Sequence, residues 1–495
     1  MDILYIHPAK QEVEAEYGKY RASPFYPIIP VGVIGMANLL RSQGWSLQGL
    51  NLPLERMLDT DFRLERWLQQ VDRPSLVMID LHWYEHCFGA VDVARHVRRL
   101  LPDAKIVAGG LTATYFAEEI LASHPEFDFI IRGDAEVPLA TLVDQVCGDA
   151  VLNPAGVPNL TWREDGRVRN STEFYTADGP MLDSLDFVDL DWLAHGESYG
   201  ALQYTGGGRI DAHRTEQKGH WLTIGRGCAF NCIYCGGSKE AHTELAARSG
   251  YVMRDPVNVV DDVEQLAASG YKQVSLSLDP ATFPARWWRT FFGELQARGI
   301  RIGIYNEFFQ LPSREFIRLL GETADLEHTE VAISPLSGNE EVRNLNGKHY
   351  SNERFLQMLG NLERYQIPIF VYFSLNLPGE TVLTFRETIR LAKAVGKAYP
   401  ARLLRMLNPC HTIDPMSPMS RLPGNFKIHV EYNSFKDYYE YCRTTGWEPR
   451  KVVRGERRGF SMDGRPAETV EQMARIWDGF ARTQRFQCFP VARVW

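Results

Sequence analysis

The chain has 495 residues, a length at which a single hydrophobic core gives way to two or more domains. Hydrophobic residues make up 44% and charged residues 23%, which excludes a largely disordered or collagen-like chain. The net charge of −8 comes without a lysine- or arginine-rich run, so nucleic acid is not an expected partner. The opening residues lack a basic leader and no stretch approaches the ~20 apolar residues of a membrane span, so a soluble, cytoplasmic protein with no membrane partner is expected.

Taken in chain order, apolar β-rich runs at 3–7, 47–50, 76–79, 106–108 and 127–131 alternate with amphipathic stretches at 31–40, 63–71, 90–101, 115–123 and 136–147. Five strands with intervening helices predict an α/β, Rossmann-like, doubly wound domain over 1–150, with its ligand beyond the carboxyl ends of the strands. Those ends carry 8–10, 80–86, 109–112 and 132–136. The region 151–215 breaks the rhythm: a hairpin turning at Asp165–Gly166, an acidic connector, and a glycine-rich segment at 205–209. Alternation resumes over 216–410, with strands at 221–224, 274–278, 301–305, 331–334, 367–375 and 402–407. Six βα units are too few for a closed eight-stranded barrel, leaving a partial (β/α)6 barrel or an open sheet. The last region, 411–495, reads as mostly helical and irregular, with helical faces at 438–442 and 470–483.

The eight cysteines are unevenly spread: Cys87, Cys147, Cys410, Cys442 and Cys488 are scattered, whereas Cys228, Cys232 and Cys235 lie within eight residues, after the first strand of the second unit. Three thiolates on one loop can converge on one inorganic centre. A zinc site wants a fourth protein ligand, and no matching knuckle lies nearby, so only a distant histidine would complete one. An iron–sulfur cube takes four ligands, so three cysteines leave one iron open for chemistry.

C-x3-C-x2-C, with Tyr234 before the last cysteine, Gly236–Gly237 after it and Gly225–Arg226–Gly227 before the first, resembles the radical S-adenosylmethionine (SAM) superfamily. The resemblance implies a [4Fe–4S] cluster on the three cysteines, SAM chelated to the open iron, and a 5′-deoxyadenosyl radical that abstracts hydrogen. It also implies a partial six-unit barrel, matching the strand count. SAM contacts are carried over to Tyr234, Gly236 and Gly237. The family's Gly-Gly-Glu-like turn corresponds to 275–279, where Ser277 or Asp279 offers an acceptor; a strand end with a capping aspartate explains the same residues. The stretch 334–339 departs from the family's Glu-Ser-Gly, leaving Ser334 as the ribose-side candidate, and Asn376, just before an L-P-G-E-T turn at 377–381, is a further SAM-binding candidate by the same resemblance.

In the first domain, 107–114 (VAGGLTAT) and 128–136 (DFIIRGDAE) together resemble the cobalamin-binding domain of cobalamin-dependent radical SAM enzymes. The resemblance points to Gly109, Gly110, Leu111, Thr112, Gly133, Asp134 and Glu136 as cobalamin contacts. No G-x-G-x-x-G follows the first strand, which disfavours a dinucleotide. The D-x-H-x-x-G cobalt-ligand motif is missing from 7–18, and the only Asp-x-His, at Asp80–His82, has Glu85 where the glycine belongs. Cobalt is therefore read as lacking a histidine ligand, with His82, Trp83, Tyr84 and His86 bordering its lower face; the aromatics also fit ordinary packing. After the barrel, 408–417 resembles a stretch of the same group, with Tyr432, Tyr438 and Tyr439 as possible substrate contacts.

The resemblance implies an enzyme using a [4Fe–4S] cluster, SAM and cobalamin, most plainly a C-methyltransferase acting on an unactivated carbon of a small molecule. The alternative is non-methylating chemistry with the same cofactors, oxidative cyclisation or ring rearrangement. An external electron donor such as a flavodoxin or ferredoxin is implied. A methylthiotransferase is disfavoured, because only Cys87 and Cys147 lie upstream for a second cluster. No general base is singled out.

Overall fold

The computed structural model describes residues 1–10, 27–206, 217–445, 459–466 and 468–491. Most of the loop after the first strand, where a cobalt-ligand motif was sought, and the glycine tract beyond Gly206 lie outside the described residues.

The first sheet has seven strands: β1 Ile3–His7, β2 Leu47–Asn51, β3 Leu76–Asp80, β4 Lys105–Gly109, β5 Phe129–Ile131, β6 Leu160–Glu164 and β7 Arg167–Asn170. Their order is β2-β1-β3-β4-β5-β6-β7, with β1 to β5 parallel and β6 and β7 antiparallel. Both faces of the parallel strands are covered, so β1 and β3 are buried at every position. The order reverses between β1 and β3, and ligands of such sheets sit at that switch point. The hairpin at Asp165–Gly166 forms, but it belongs to the first sheet rather than to a linker: Ile131 pairs with Leu160 and extends the edge.

The second sheet runs through β8 Gly219–Leu222, β11 Gln273–Leu276, β12 Gly303–Phe308, β13 Glu330–Leu336, β14 Ile369–Phe373 and β15 Leu404–Leu407, all parallel and in sequence order. This is the six-unit partial barrel. A short last strand, β18 Gln487–Cys488, adds to β15. Between β8 and β11, β9 Gly225–Cys228 and β10 Gly250–Met253 form a separate antiparallel pair. A further pair, β16 Ile428–Val430 and β17 Phe460–Met462, lies after the barrel.

Helix starts follow from the sequence. Ser313, Ser351 and Thr381 each accept a backbone N–H at the first turn of the helices Arg314–Thr323, Asn352–Glu363 and Val382–Ala398. The helices' apolar stripes, such as Phe316, Ile317 and Leu320, bury against the sheet. The region after the barrel is shared between the two cores. Phe435, Tyr438, Tyr441 and Cys442 pack into the first domain, whereas Val470, Met473 and Trp477 of the helix Glu468–Ala481 complete the barrel core. No described helix is long and apolar enough to cross a membrane.

Candidate active site

The cysteine loop leaves the carboxyl end of β8. Two turns order it: Cys235 N–H donates to Cys232 O (3.1 Å) and Ser238 N–H to Cys235 O (3.2 Å), while Lys239 N–H ties back to Phe230 O (2.8 Å). Gly227 is at φ +88°, and a Cβ there would meet Gly250 O at 2.1 Å, so the β9–β10 pair closes only around glycine. Cys228, Cys232 and Cys235 all line one cavity of ≈ 280 Å³ at the mouth of the barrel, together with Tyr234, Gly237 and Ser334.

The donor set fits an iron–sulfur cluster better than a single ion. Among the described residues, the set of three potential ligands that closes to within 4.8 Å is His7, Asp80 and His86, not the thiols. A lone zinc holds its sulfurs at about 2.3 Å and needs them correspondingly close. Burial pushes the Cys235 thiol up to about 12, with Asp414 the next cause, so its ionisation near neutrality needs a cation of the kind a cluster iron supplies.

Other residues read from the sequence take different places. Gly236 N–H donates to Asp414 Oδ2 (3.0 Å), and a Cβ on it would meet Pro415 O at 2.5 Å. Gly236 thus seats the segment after the barrel against the cysteine loop. Tyr234 sets its ring edge-on to His411 at 5.0 Å. Ser277 does not line the cavity; its Oγ accepts from Ile224 N–H (3.2 Å). Asp279 is turned away too. Its carboxylate accepts from Ala281 N–H (3.0 Å), Asn306 Nδ2 (3.3 Å) and Phe309 N–H (2.7 Å), the work of a cap rather than of a ligand contact. Burial pushes that carboxyl up to about 7. Asn376, at φ +74°, donates to His411 O (2.9 Å) and accepts from Arg465, so its amide is spent on the chain's later segments.

Four lining residues with polar side chains are not among the candidates read from the sequence: His242, Glu307, Lys348 and Tyr372. Tyr305 Oη donates to Glu307 Oε1 (2.7 Å); Glu307 is open to the cavity, and the surrounding protein raises its carboxyl. Lys348 Nζ donates to Phe309 O (2.8 Å). The strand alternation that points Tyr305 and Glu307 to one face of β12 is the signal that could have found the second of them.

On the first domain, His82, Trp83, Gly109, Gly110 and Leu111 form a half-buried rim at the carboxyl ends of β3 and β4. Gly110 (φ +113°) lets the two strand ends meet: a Cβ would lie 2.7 Å from His82 Cα and N. Thr112 seals the junction, its N–H (3.2 Å) and Oγ1 (2.9 Å) both donating to His82 O. Such a rim of backbone and small side chains suits a large flat ring. Tyr84 instead faces the later segment, with Oη 2.8 Å from Thr412 Oγ1 and its ring beside Tyr438. Tyr432 and Tyr439 likewise pack on the first domain's core. Below the rim, Asp80 Oδ1 accepts from Tyr5 Oη (2.7 Å) and pairs with His7 Nδ1 (2.9 Å). His82 is pushed down to about 4, chiefly by burial, and the charges it feels include Asp80, His242 and Arg226. The helix Lys239–Ala246, whose His242 lines the cysteine cavity, meets the first domain directly: a Cβ on Gly133 would lie 3.4 Å from Ala246 Cα.

Gly133 donates its N–H to Thr114 Oγ1 (3.0 Å) at φ +66°. Asp134 and Glu136 are not on the rim's open side. Both are buried and paired with arginines of the second domain, Arg226 and Arg248.

Residues 222–392 match the family model of the radical SAM superfamily, and residues 19–143 match that of the B12 binding domain. The chain carries a B12-binding domain followed by a radical SAM domain. Its cofactors are accordingly a [4Fe–4S] cluster, SAM and cobalamin. The chain is 24% identical over 311 residues to the anaerobic magnesium-protoporphyrin IX monomethyl ester cyclase of Cereibacter sphaeroides, covering 61% of this chain and 47% of that one. It spans less than half the length of the curated cyclases it matches. Its fold is similar to that of the radical SAM methyltransferase TsrM from Kitasatospora setae, solved with cobalamin and a [4Fe–4S] cluster: TM-score 0.63, 17% identity, covering 87% of this chain and 81% of that one. The cobalamin-dependent radical enzyme OxsB gives a TM-score of 0.59 at 12% identity, covering 86% and 61%.

Proposed function

We propose that this chain methylates an unactivated carbon of a small molecule. The observation that carries the reading is the adjacency of the two sites: the helix Lys239–Ala246, whose His242 lines the cysteine cavity, lies against the first domain, where a Cβ on Gly133 would sit 3.4 Å from Ala246 Cα. When bound, the cluster with SAM supplies a 5′-deoxyadenosyl radical and cobalamin supplies a methyl carrier. Cys228, Cys232 and Cys235 would hold the cluster and leave one iron for SAM. Tyr234, Gly237 and Ser334 wall the SAM end of the cavity. Glu307, Lys348 and Tyr372 offer a carboxyl, an ammonium and a phenol to orient a substrate. The apolar lining of Leu278, Phe308, Ala332 and Ile333 keeps water from a radical. An external one-electron donor of the flavodoxin or ferredoxin kind is part of the proposal, as is a reducing cytoplasm, in which the eight free cysteines stay reduced.

The similarity to the cyclase favours a second reading, radical cyclisation without methyl transfer. The two separate on product analysis with anaerobically reconstituted protein and methyl-labelled SAM. Methylation yields both S-adenosylhomocysteine and 5′-deoxyadenosine, with label leaving SAM. Deoxyadenosine without S-adenosylhomocysteine overturns the methylation reading in favour of cyclisation.

A further inference from the structure

Asp134 and Glu136 are tied across the domain boundary to two arginines. Arg226 stands on β9 two residues before Cys228, and its guanidinium reaches out of the second domain into the first. One terminal nitrogen donates to Asp134 Oδ1 (3.2 Å) and the other to Glu136 Oε1. Arg248, packed against Gly227 of the same strand pair, donates to Asp134 Oδ2 and to Ala177 O (3.0 Å). Ala177 N–H completes the set on Asp134 Oδ2 (2.8 Å). Asp134 is 7% exposed and Glu136 1%. Gly32 of the first domain approaches Arg226 so closely that a Cβ there would sit 3.4 Å from the guanidinium. An exposed ion pair would fix little, but a half-buried arginine forked onto two buried carboxylates fixes direction as well as charge.

We infer that Arg226 is a positioning residue: through Asp134 and Glu136 it holds the strand leading into Cys228 at one distance from the cobalamin-side rim. The two cofactor platforms are thereby kept in register before any substrate arrives. This rests on the reading that the three cysteines hold the cluster and the rim holds cobalamin.

The test uses the full chain loaded with cob(II)alamin and a reduced cluster, and reads the broadening of the cobalt electron-spin signal by the nearby cluster. Wild type gives one broadened signal. Arg226→Lys keeps the charge but cannot span both carboxylates, and Glu136→Gln leaves β9 untouched. Each is expected to retain iron and cobalamin while part of the population loses its broadening. Should Arg226→Lys fail to load, Glu136→Gln alone decides. Broadening in Glu136→Gln identical to wild type overturns the proposal. A different failure, a cluster signal that survives Cys228→Ala, or no broadening in wild type, strikes the underlying cofactor reading instead.

Discussion

Gly110→Ala offers a quantitative test of how the cobalamin-side rim is built. Gly110 sits at φ +113°, ψ 175°, a region closed to residues with a side chain. Forcing alanine there costs about 1–3 kcal/mol in backbone strain. The new methyl would also meet His82 Cα and N at 2.7 Å and Leu81 C at 2.8 Å. These are backbone atoms that cannot rotate aside, and overpacking of this kind adds about 1–3 kcal/mol. The combined cost of about 2–6 kcal/mol is a large part of a domain's stability. Relief requires breaking the ties that join the β3 and β4 ends, including Leu81 N–H to Gly109 O (2.8 Å) and Thr112 to His82 O. Gly109→Ala is the control, because its Cβ meets nothing nearer than Ile131 O at 3.6 Å. The assay is denaturant unfolding of the full chain, read on its first transition because two domains need not unfold together, with cobalamin retention after gel filtration alongside. Gly110→Ala should lower the midpoint and shed cobalamin, whereas Gly109→Ala should stay within about 1 kcal/mol of wild type. Equal stability of the two variants would refute the close-approach argument.

Gly236→Ala drives a Cβ into Pro415 O at 2.5 Å, so the segment after the barrel should lift off the cysteine loop. Faster proteolysis near 414–417 and lower iron retention would register this; unchanged cleavage and iron would count against it. Asp279→Ala strands one buried donor, on Asn306, at about 1–3 kcal/mol, and two half-buried backbone N–H groups; it should lower the melting temperature, while SAM affinity of the folded protein stays put, and a selective loss of SAM binding would return Asp279 to the ligand set. Glu380 accepts from Asn376 N–H (2.9 Å), and burial pushes its carboxyl up to about 8. Its folded value lies above its unfolded one, so its contribution is full below about pH 4.5 and is lost as pH rises towards 8. Glu380→Gln should flatten the fall in melting temperature across that window, and parallel curves for the two proteins would dismiss the effect.

Local patterning carried the fold. The apolar runs ending in His7 and Ile131 and the helix 136–147 lie in the sequence as they lie in the structure, because buried parallel strands and amphipathic helices announce themselves by period. Sheet membership does not: the 160–170 hairpin is visible locally, but its pairing with β5 is a tertiary fact. The cysteine loop was legible because three thiols in eight residues have few other uses. The polar residues around it were less so. An aspartate after a strand, such as Asp279, looks the same whether it caps a turn or meets a ligand, and only its three donors decide. Asp134 and Glu136 carry a motif whose partners, Arg226 and Arg248, lie about 90 and 114 residues away. Lys348 reaches the cavity from between two helices and His242 from within the helix Lys239–Ala246, positions that no short motif marks.

The claim on which the rest depends is that Cys228, Cys232 and Cys235 hold a [4Fe–4S] cluster with one iron open to SAM in the barrel-mouth cavity. Electron-spin resonance of the anaerobically reconstituted, reduced protein, recorded with and without SAM, tests it most directly. The account predicts a reduced-cluster spectrum that shifts when SAM is added and disappears when any one of the three cysteines is replaced by alanine. A spectrum indifferent to SAM, or one that persists without those thiols, would contradict it.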